Sequence, residues 1–336
     1  MARLVEINSL GLEICNHDTA EPTVSTRTLQ SPARATRMRS ALAGAFRRSY
    51  ASSALAFEVR GALPSALEGA SSDEVIFILH GLLGSGRNWR SFSDRLRVKL
   101  LEKRGDRALH MVLVDLRGHG ASASVGSEST SSSSVHAAAL DVDDLARRIG
   151  VAPGVVIGHS LGGKVALEYS KLATTAPRQV WSLDSTPGRV VSVDTHGTGR
   201  VLEAIKRLPK RIPSRRWLAQ ALPQFSPALV DWIGSNLRNV PGSKEELEFI
   251  FNIETVSALF ESFRMTDSWH AFEESPRADM HVVKAERSNA WSESCVERLS
   301  KTARSKFWVL PKADHWVHTS NPDGLLEMFA SSIPEQ

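Results

Sequence analysis

The segment "VVIGHSLGGKVAL", Val155 to Leu167, constrains this chain more tightly than any other. A short apolar run leads straight into Gly158-His159-Ser160-Leu161-Gly162, and a helical pattern resumes behind it. Glycines two residues either side of a serine weaken both strand and helix. They fit a turn between a buried strand and a helix that is too tight for flanking side chains. Such a turn lifts the Ser160 hydroxyl above the sheet and opens the next helix with a free N–H at Leu161. Gly-x-Ser-x-Gly is weak as a bare pattern and gains its weight from the strand before it and the helix after it.

The surrounding sequence supplies that context. "LAFEVRG", "EVIFILHG", "HMVLVDLRGHG", "GVVIG" and "QVWSLD" read as strands. Asn88 to Gly105, Ala137 to Ile149 and the stretch after Ser160 read as helices. Continuous Val, Ile and Leu runs mark strands buried on both faces, as in a parallel sheet. Ser122 to Ser134 reads as a flexible surface linker. Gly188 to Phe272 holds helical patterns without an obvious strand, and predicts a helical cap of about residues 188–275 over the carboxyl ends of the strands. Alternation returns with "DMHVVKAE", "ESCVERLSKTA", "KFWVLPKA" and a last helix from Asp323. The expected class is α/β, a mostly parallel sheet covered on both faces by helices, in a domain of residues 54–336.

Charge separates the first 53 residues from that domain. The chain carries a formal +4, yet six arginines between Pro22 and Phe57 (Arg27, Arg34, Arg37, Arg39, Arg47 and Arg48) stand without any acid. Subtracting them leaves the remainder at −2, so no basic face for nucleic acid remains to be explained. Arg, Ser, Thr and Ala with an amphipathic core at Met38, Leu42, Ala45 and Phe46 is the composition of an organellar transit peptide. Residues 1–53 thus read as a disordered extension addressed to mitochondria, with a plastid as the competing address and an arginine-rich tail without address as the bland one. Against import stand Glu6, Glu13, Asp18 and Glu21, in a stretch that alternates like a hairpin.

Other classes drop out. No apolar run approaches the roughly 20 residues of a membrane-spanning helix. Cys15 and Cys295 have no metal or disulfide spacing. Gly81, Gly84 and Gly86 follow a strand as in a dinucleotide site, but their spacing is GxxGxG rather than GxGxxG. Neither a cofactor nor a metal is expected.

A serine hydroxyl is a weak nucleophile that needs a base and an acid to orient the base. Behind this kind of elbow the order is serine, acid, histidine. The base belongs after the last strand, where "LPKADHWVH" offers His315; His318 should face elsewhere. Two carboxylates compete as the acid: Asp184, flush with the end of "VWSLD" and held by "STPG", and Glu286, at the end of "VVKAE". Asp184 is favoured for its position. The loop "HGLLGSGRNW" should add the Leu82 N–H to that of Leu161 as oxyanion donors. Trp89, Trp217, Trp232, Trp269, Trp291 and Trp316 fall in the presumed cap or strand-end loops and are candidates to line an acyl pocket, though packing is the commoner use.

Together "HGLLGSGRNW", "DLRGHG", "GHSLGGK", "LDSTPG", "HWVH" and "NPDGL" give the chain from about Ala54 onward a resemblance to the α/β-hydrolase superfamily. It resembles in particular the branch named after abhydrolase domain-containing protein eleven. The resemblance implies Ser160, Asp184 and His315 as a triad, a helical cap, cofactor-free ester or thioester hydrolysis, and organelle residence. Two departures stand out: Asp314 where relatives usually have glycine, and "AERSNAW" where they commonly have "GGNS", which keeps Glu286 in contention. The expected function is serine hydrolysis of a small carboxylic ester or acyl thioester through a Ser160 acyl-enzyme. The alternatives are a non-catalytic binding or receptor module, and a lipase or carbon–carbon bond hydrolase of the same fold.

Overall fold

In chain order the strands are β1 (Phe57–Arg60), β2 (Val75–Leu79), β3 (His110–Val114), β4 (Val155–His159), β5 (Gln179–Leu183), β6 (Leu237–Asn239), β7 (Leu247–Phe249), β8 (Asp279–Ala285) and β9 (Ser305–Leu310). The computed structural model describes residues 54–61, 64–104, 108–129, 132–190, 197–273, 278–302 and 305–333. The expected leader, residues 1–53, lies outside them.

Strands β2 to β5 are buried at every position. That requires cover on both faces, and alternation divides each strand between two apolar clusters. Val75, Phe77 and Leu79 join one cluster, while Ile76 and Ile78 join the other. The first cluster includes residues of α2 (Val135–Ile149) and α3 (Leu161–Leu172); the second includes α1 (Arg90–Arg104) and the C-terminal Pro322–Ser332 helix.

Seven strands form one sheet in the order β1-β3-β2-β4-β5-β8-β9. β1 is antiparallel to β3, and the other pairs are parallel. Parallel pairing brings the carboxyl ends of β2, β4, β5, β8 and β9 to one edge. Register then sets neighbours there: Leu79 pairs with Gly158, His159 with Leu183, and Leu183 with Val283. Residues just beyond those pairs meet.

Between β5 and β8 the chain forms α4 (Thr198–Lys206), α5 (Arg215–Ala221), α6 (Pro227–Ser235), α7 (Ile253–Met265) and α8 (His270–Glu273). The expectation of a strand-free segment is corrected here: β6 and β7 pair as an antiparallel ribbon between α6 and α7. "KEELEF", read as helical, ends in β7, because Ile212 and Leu247 exchange backbone hydrogen bonds on its other side. Nor are the two ends of the Ser122 to Ser134 run free, as a flexible linker would have them. Ser122 is buried and its hydroxyl accepts from the Ala56 N–H at 2.8 Å, and Gly118 N–H donates to Ser122 and Val125 carbonyls. The run ends as the cap of α2, where Ser134 Oγ accepts from Ala137 N–H. Ser134 satisfies a backbone group locally, whereas Ser122 anchors its end of the loop to Ala56, 66 residues away. After β8 follow α9 (Glu293–Ser300), α10 (Val317–Ser320) and α11 (Pro322–Ser332).

Candidate active site

The turn from β4 to α3 forms around Ser160, whose backbone sits at φ 53°, ψ −116°. Both glycine positions are obligatory. A Cβ at Gly158 would lie 2.0 Å from the Gly162 carbonyl oxygen, and one at Gly162 would lie 2.4 Å from that of Leu79. The Ser160 N–H donates to the Leu183 carbonyl at 3.0 Å, which carries sheet pairing one residue past β4. Ser160 thereby stands at the end of the sheet, at the mouth of α3.

Asp184 takes the equivalent place beyond β5. Its N–H donates to the Val283 carbonyl at 2.7 Å, and its φ of 42° is a left-handed value that aspartate tolerates better than most residues. The side chain is 0% exposed. Oδ1 accepts from the Ala285 N–H at 3.1 Å and from the Trp291 indole N–H at 2.8 Å. Oδ2 receives the Nδ1–H of His315 at 2.7 Å. Bonding at Nδ1 leaves Nε2 of a neutral His315 as the basic nitrogen.

His315 lies in the loop after β9. Its carbonyl accepts from His159 Nε2 at 2.7 Å, which ties that loop to the residue preceding the serine. Asp314 accepts the Trp316 N–H at 2.9 Å, so this departure shapes the turn around His315. Glu286 is exposed and accepts the Lys312 N–H at 2.7 Å, at a turn where Lys312 has φ 56°. The geometry brings Asp184 to the imidazole, while the Glu286 carboxylate is engaged by the Lys312 N–H.

The loop after β2 closes the site. A Cβ at Gly81 would lie 3.2 Å from Ser160 Cβ, so Leu82 follows directly from a contact with the elbow. Among the described residues neither the Leu82 nor the Leu161 N–H donates to a protein acceptor. Two buried histidines set this loop. His80 Nδ1 donates to the Gly81 carbonyl and its Nε2 accepts the Leu116 N–H. His119 Nδ1 donates to the Arg117 carbonyl and its Nε2 accepts the Leu83 N–H. Leu82 is thus flanked by residues whose backbone groups are held by neutral imidazoles.

Burial lowers the pKa of His80 to about 4, of His119 to about 3 and of His318 to about 4, while that of His159 falls well below its usual value. Protonating His80 or His119 at Nε2 would also turn an acceptor against a donor. Below pH 6.5 the unfolded chain takes up protons that these folded groups refuse, so stability must fall with pH between about 6.5 and 4. Each histidine contributes at most about 1.4 kcal/mol per pH unit in that window. The expected result is a steep drop in Tm between pH 6.5 and 4.5 in calorimetry; a flat profile there would contradict the assigned neutral tautomers.

Ser160, Asp184, His315, Leu82 and Leu161 all line one pocket. Its other walls come from the cap (Val190, Thr198, Phe260, Phe263), from Ser185 and Thr186, and from Ala290. Of the tryptophans expected near substrate, Trp89 is instead buried, stacked on His318 with ring centres 4.1 Å apart. Trp291, in the "AERSNAW" departure, serves Asp184. Its partner is 107 residues away, so nothing local in the sequence announces that bond.

Residues 75–328 match the sequence model of the alpha/beta hydrolase family. The chain belongs to that family. Similar members include the sn-1-specific diacylglycerol lipase ABHD11 of Mus musculus, 24% identical over 274 residues, covering 80% of this chain and 83% of the relative. The 2-succinyl-6-hydroxy-2,4-cyclohexadiene-1-carboxylate synthase of Escherichia coli is 24% identical over 278 residues, covering 77% and 93%. Among solved structures, a marine microorganism esterase superposes with a TM-score of 0.67 at 19% identity, covering 83% of this chain and 98% of its own. E-2-(acetamidomethylene)succinate hydrolase follows at 0.62 and 19%, covering 83% and 94%. These likenesses agree on the α/β-hydrolase fold described above.

Proposed function

We propose that the chain is a serine hydrolase that cleaves a carboxylic ester or acyl thioester through an acyl-enzyme on Ser160. One observation carries this reading: a buried carboxylate holds the Nδ1 side of an imidazole that shares a pocket with a serine on a glycine-flanked elbow. His315 Nε2 takes the Ser160 proton as Oγ adds to the acyl carbon. The negative charge that develops on the carbonyl oxygen is received by the Leu82 and Leu161 N–H groups, at the positive end of α3. Collapse of the adduct expels the alcohol or thiol with the proton returned by His315, and water then repeats the sequence on the acyl-enzyme. Asp184 keeps the imidazole in its productive tautomer and faces the imidazolium that forms.

The cap wall of Val190, Phe260 and Phe263 suits an aliphatic acyl group. A diacylglycerol lipase among the relatives makes acylglycerols the natural companions to simple esters and thioesters in a screen. The reading is tested with a fluorophosphonate probe. Covalent labelling that maps to Ser160 supports it; a folded protein that resists labelling would favour a binding module instead.

A further inference from the structure

We propose that Lys164 is a positioning residue that seats the cap on the nucleophile's own helix and so sets acyl-length selectivity. Lys164 lies four residues after Ser160, one turn along the same helix. Its side chain is fully buried, unusual for lysine. The ammonium donates to three backbone carbonyls, Gly188 at 2.8 Å, Phe263 at 2.7 Å and Thr266 at 2.8 Å. It also lies 4.7 Å from the centre of the Phe263 ring.

Those carbonyls are not scattered. Gly188 is where the chain leaves the sheet for the cap, and Phe263 and Thr266 are where it returns. The two crossings are laced together by Val190 N–H to the Arg264 carbonyl and Ser268 N–H to the Pro187 carbonyl, each at 2.8 Å. Burial draws the Lys164 pKa down to about 7; its Nζ bonds both crossings at once, and in the protonated form it has one proton for each carbonyl. Charged donors in buried sites make strong hydrogen bonds, and removing one strands its acceptors. Val190 and Phe263, at the two crossings, are also walls of the acyl pocket. Lys164 therefore links the position of Ser160 to the position of the surface against which an acyl chain would lie.

The test compares Lys164→Met and Lys164→Gln, the second retaining two donors, on acetyl and octanoyl esters, alongside backbone hydrogen exchange. For Lys164→Met, kcat/KM on the octanoyl ester should fall by roughly 10²-fold, mostly through KM, and on the acetyl ester by no more than about threefold. Lys164→Gln should recover part of the octanoyl loss. Exchange at Val190 and Ser268 should quicken at least tenfold, with β4 and β5 unchanged. Equal losses on both esters, or unchanged exchange in a folded variant, overturns the proposal. If neither variant folds, exchange in the unaltered protein decides: Val190 and Ser268 as slow as β5 amides support it, and rapid exchange overturns it. The acyl-length arm rests on the serine hydrolase reading. The exchange arm does not, so even a protein that hydrolyses no ester would show whether Lys164 seats the cap.

Discussion

Ser160→Ala is expected to lower kcat on an activated ester by roughly 10⁵- to 10⁶-fold and to abolish fluorophosphonate labelling. The serine's contacts explain why so large a loss should come without collapse of the fold. What holds the elbow is backbone: the Ser160 N–H on the Leu183 carbonyl, and glycines packed against the Gly162 and Leu79 carbonyl oxygens. Alanine keeps all of that and removes only the hydroxyl, so Tm should stay within a few degrees. Substrate would still bind against the cap wall, leaving KM nearly constant while turnover disappears. A variant retaining more than about 1% of turnover would mean that the nucleophile lies elsewhere.

Asp184→Asn should cost about 10⁴-fold in kcat. Asp184 Oδ1 is already committed to the Ala285 and Trp291 N–H groups, so only Oδ2 faces His315. Asparagine has one oxygen, and the two committed donors claim it. Its NH₂ then points at the imidazole and favours the tautomer with the proton on Nε2, which cannot accept from Ser160. Glu286→Gln should change kcat by less than about twofold, because an amide oxygen can still accept the Lys312 N–H that defines its present role. Steady-state kinetics on the two purified variants, with melting curves for each, separates the two carboxylates. A severe loss in Glu286→Gln at unchanged Tm, with a mild one in Asp184→Asn, would transfer the acid's role.

The parts of this protein legible in its sequence are those where one residue type serves one local need. Val75 to Leu79 and Val155 to Ile157 fit strands sandwiched between helices, and Gly158 and Gly162 announce a steric constraint that lies within a few residues. The cap ribbon is hidden because β6 and β7 are three residues each and read Leu-Arg-Asn and Leu-Glu-Phe, too short to show a period of two. Side-chain chemistry between distant segments is hidden for a different reason. Nothing near Trp291 states that its indole will meet Asp184, nothing near Lys164 states that both cap crossings will converge on it, and the histidines that follow β2 and β3 look alike whether idle or structural. Such roles are fixed only when the sheet brings its carboxyl ends together.

The elbow also has a thermodynamic consequence. At φ 53° and ψ −116° a serine carries conformational strain of about 1–3 kcal/mol, in a region that glycine enters freely. Ser160→Gly should therefore melt a few degrees higher than the parent in calorimetry, despite glycine's greater entropy when unfolded, and a lower Tm would show that the turn is not where strain resides. Selection for heat resistance alone would favour glycine over serine at this position.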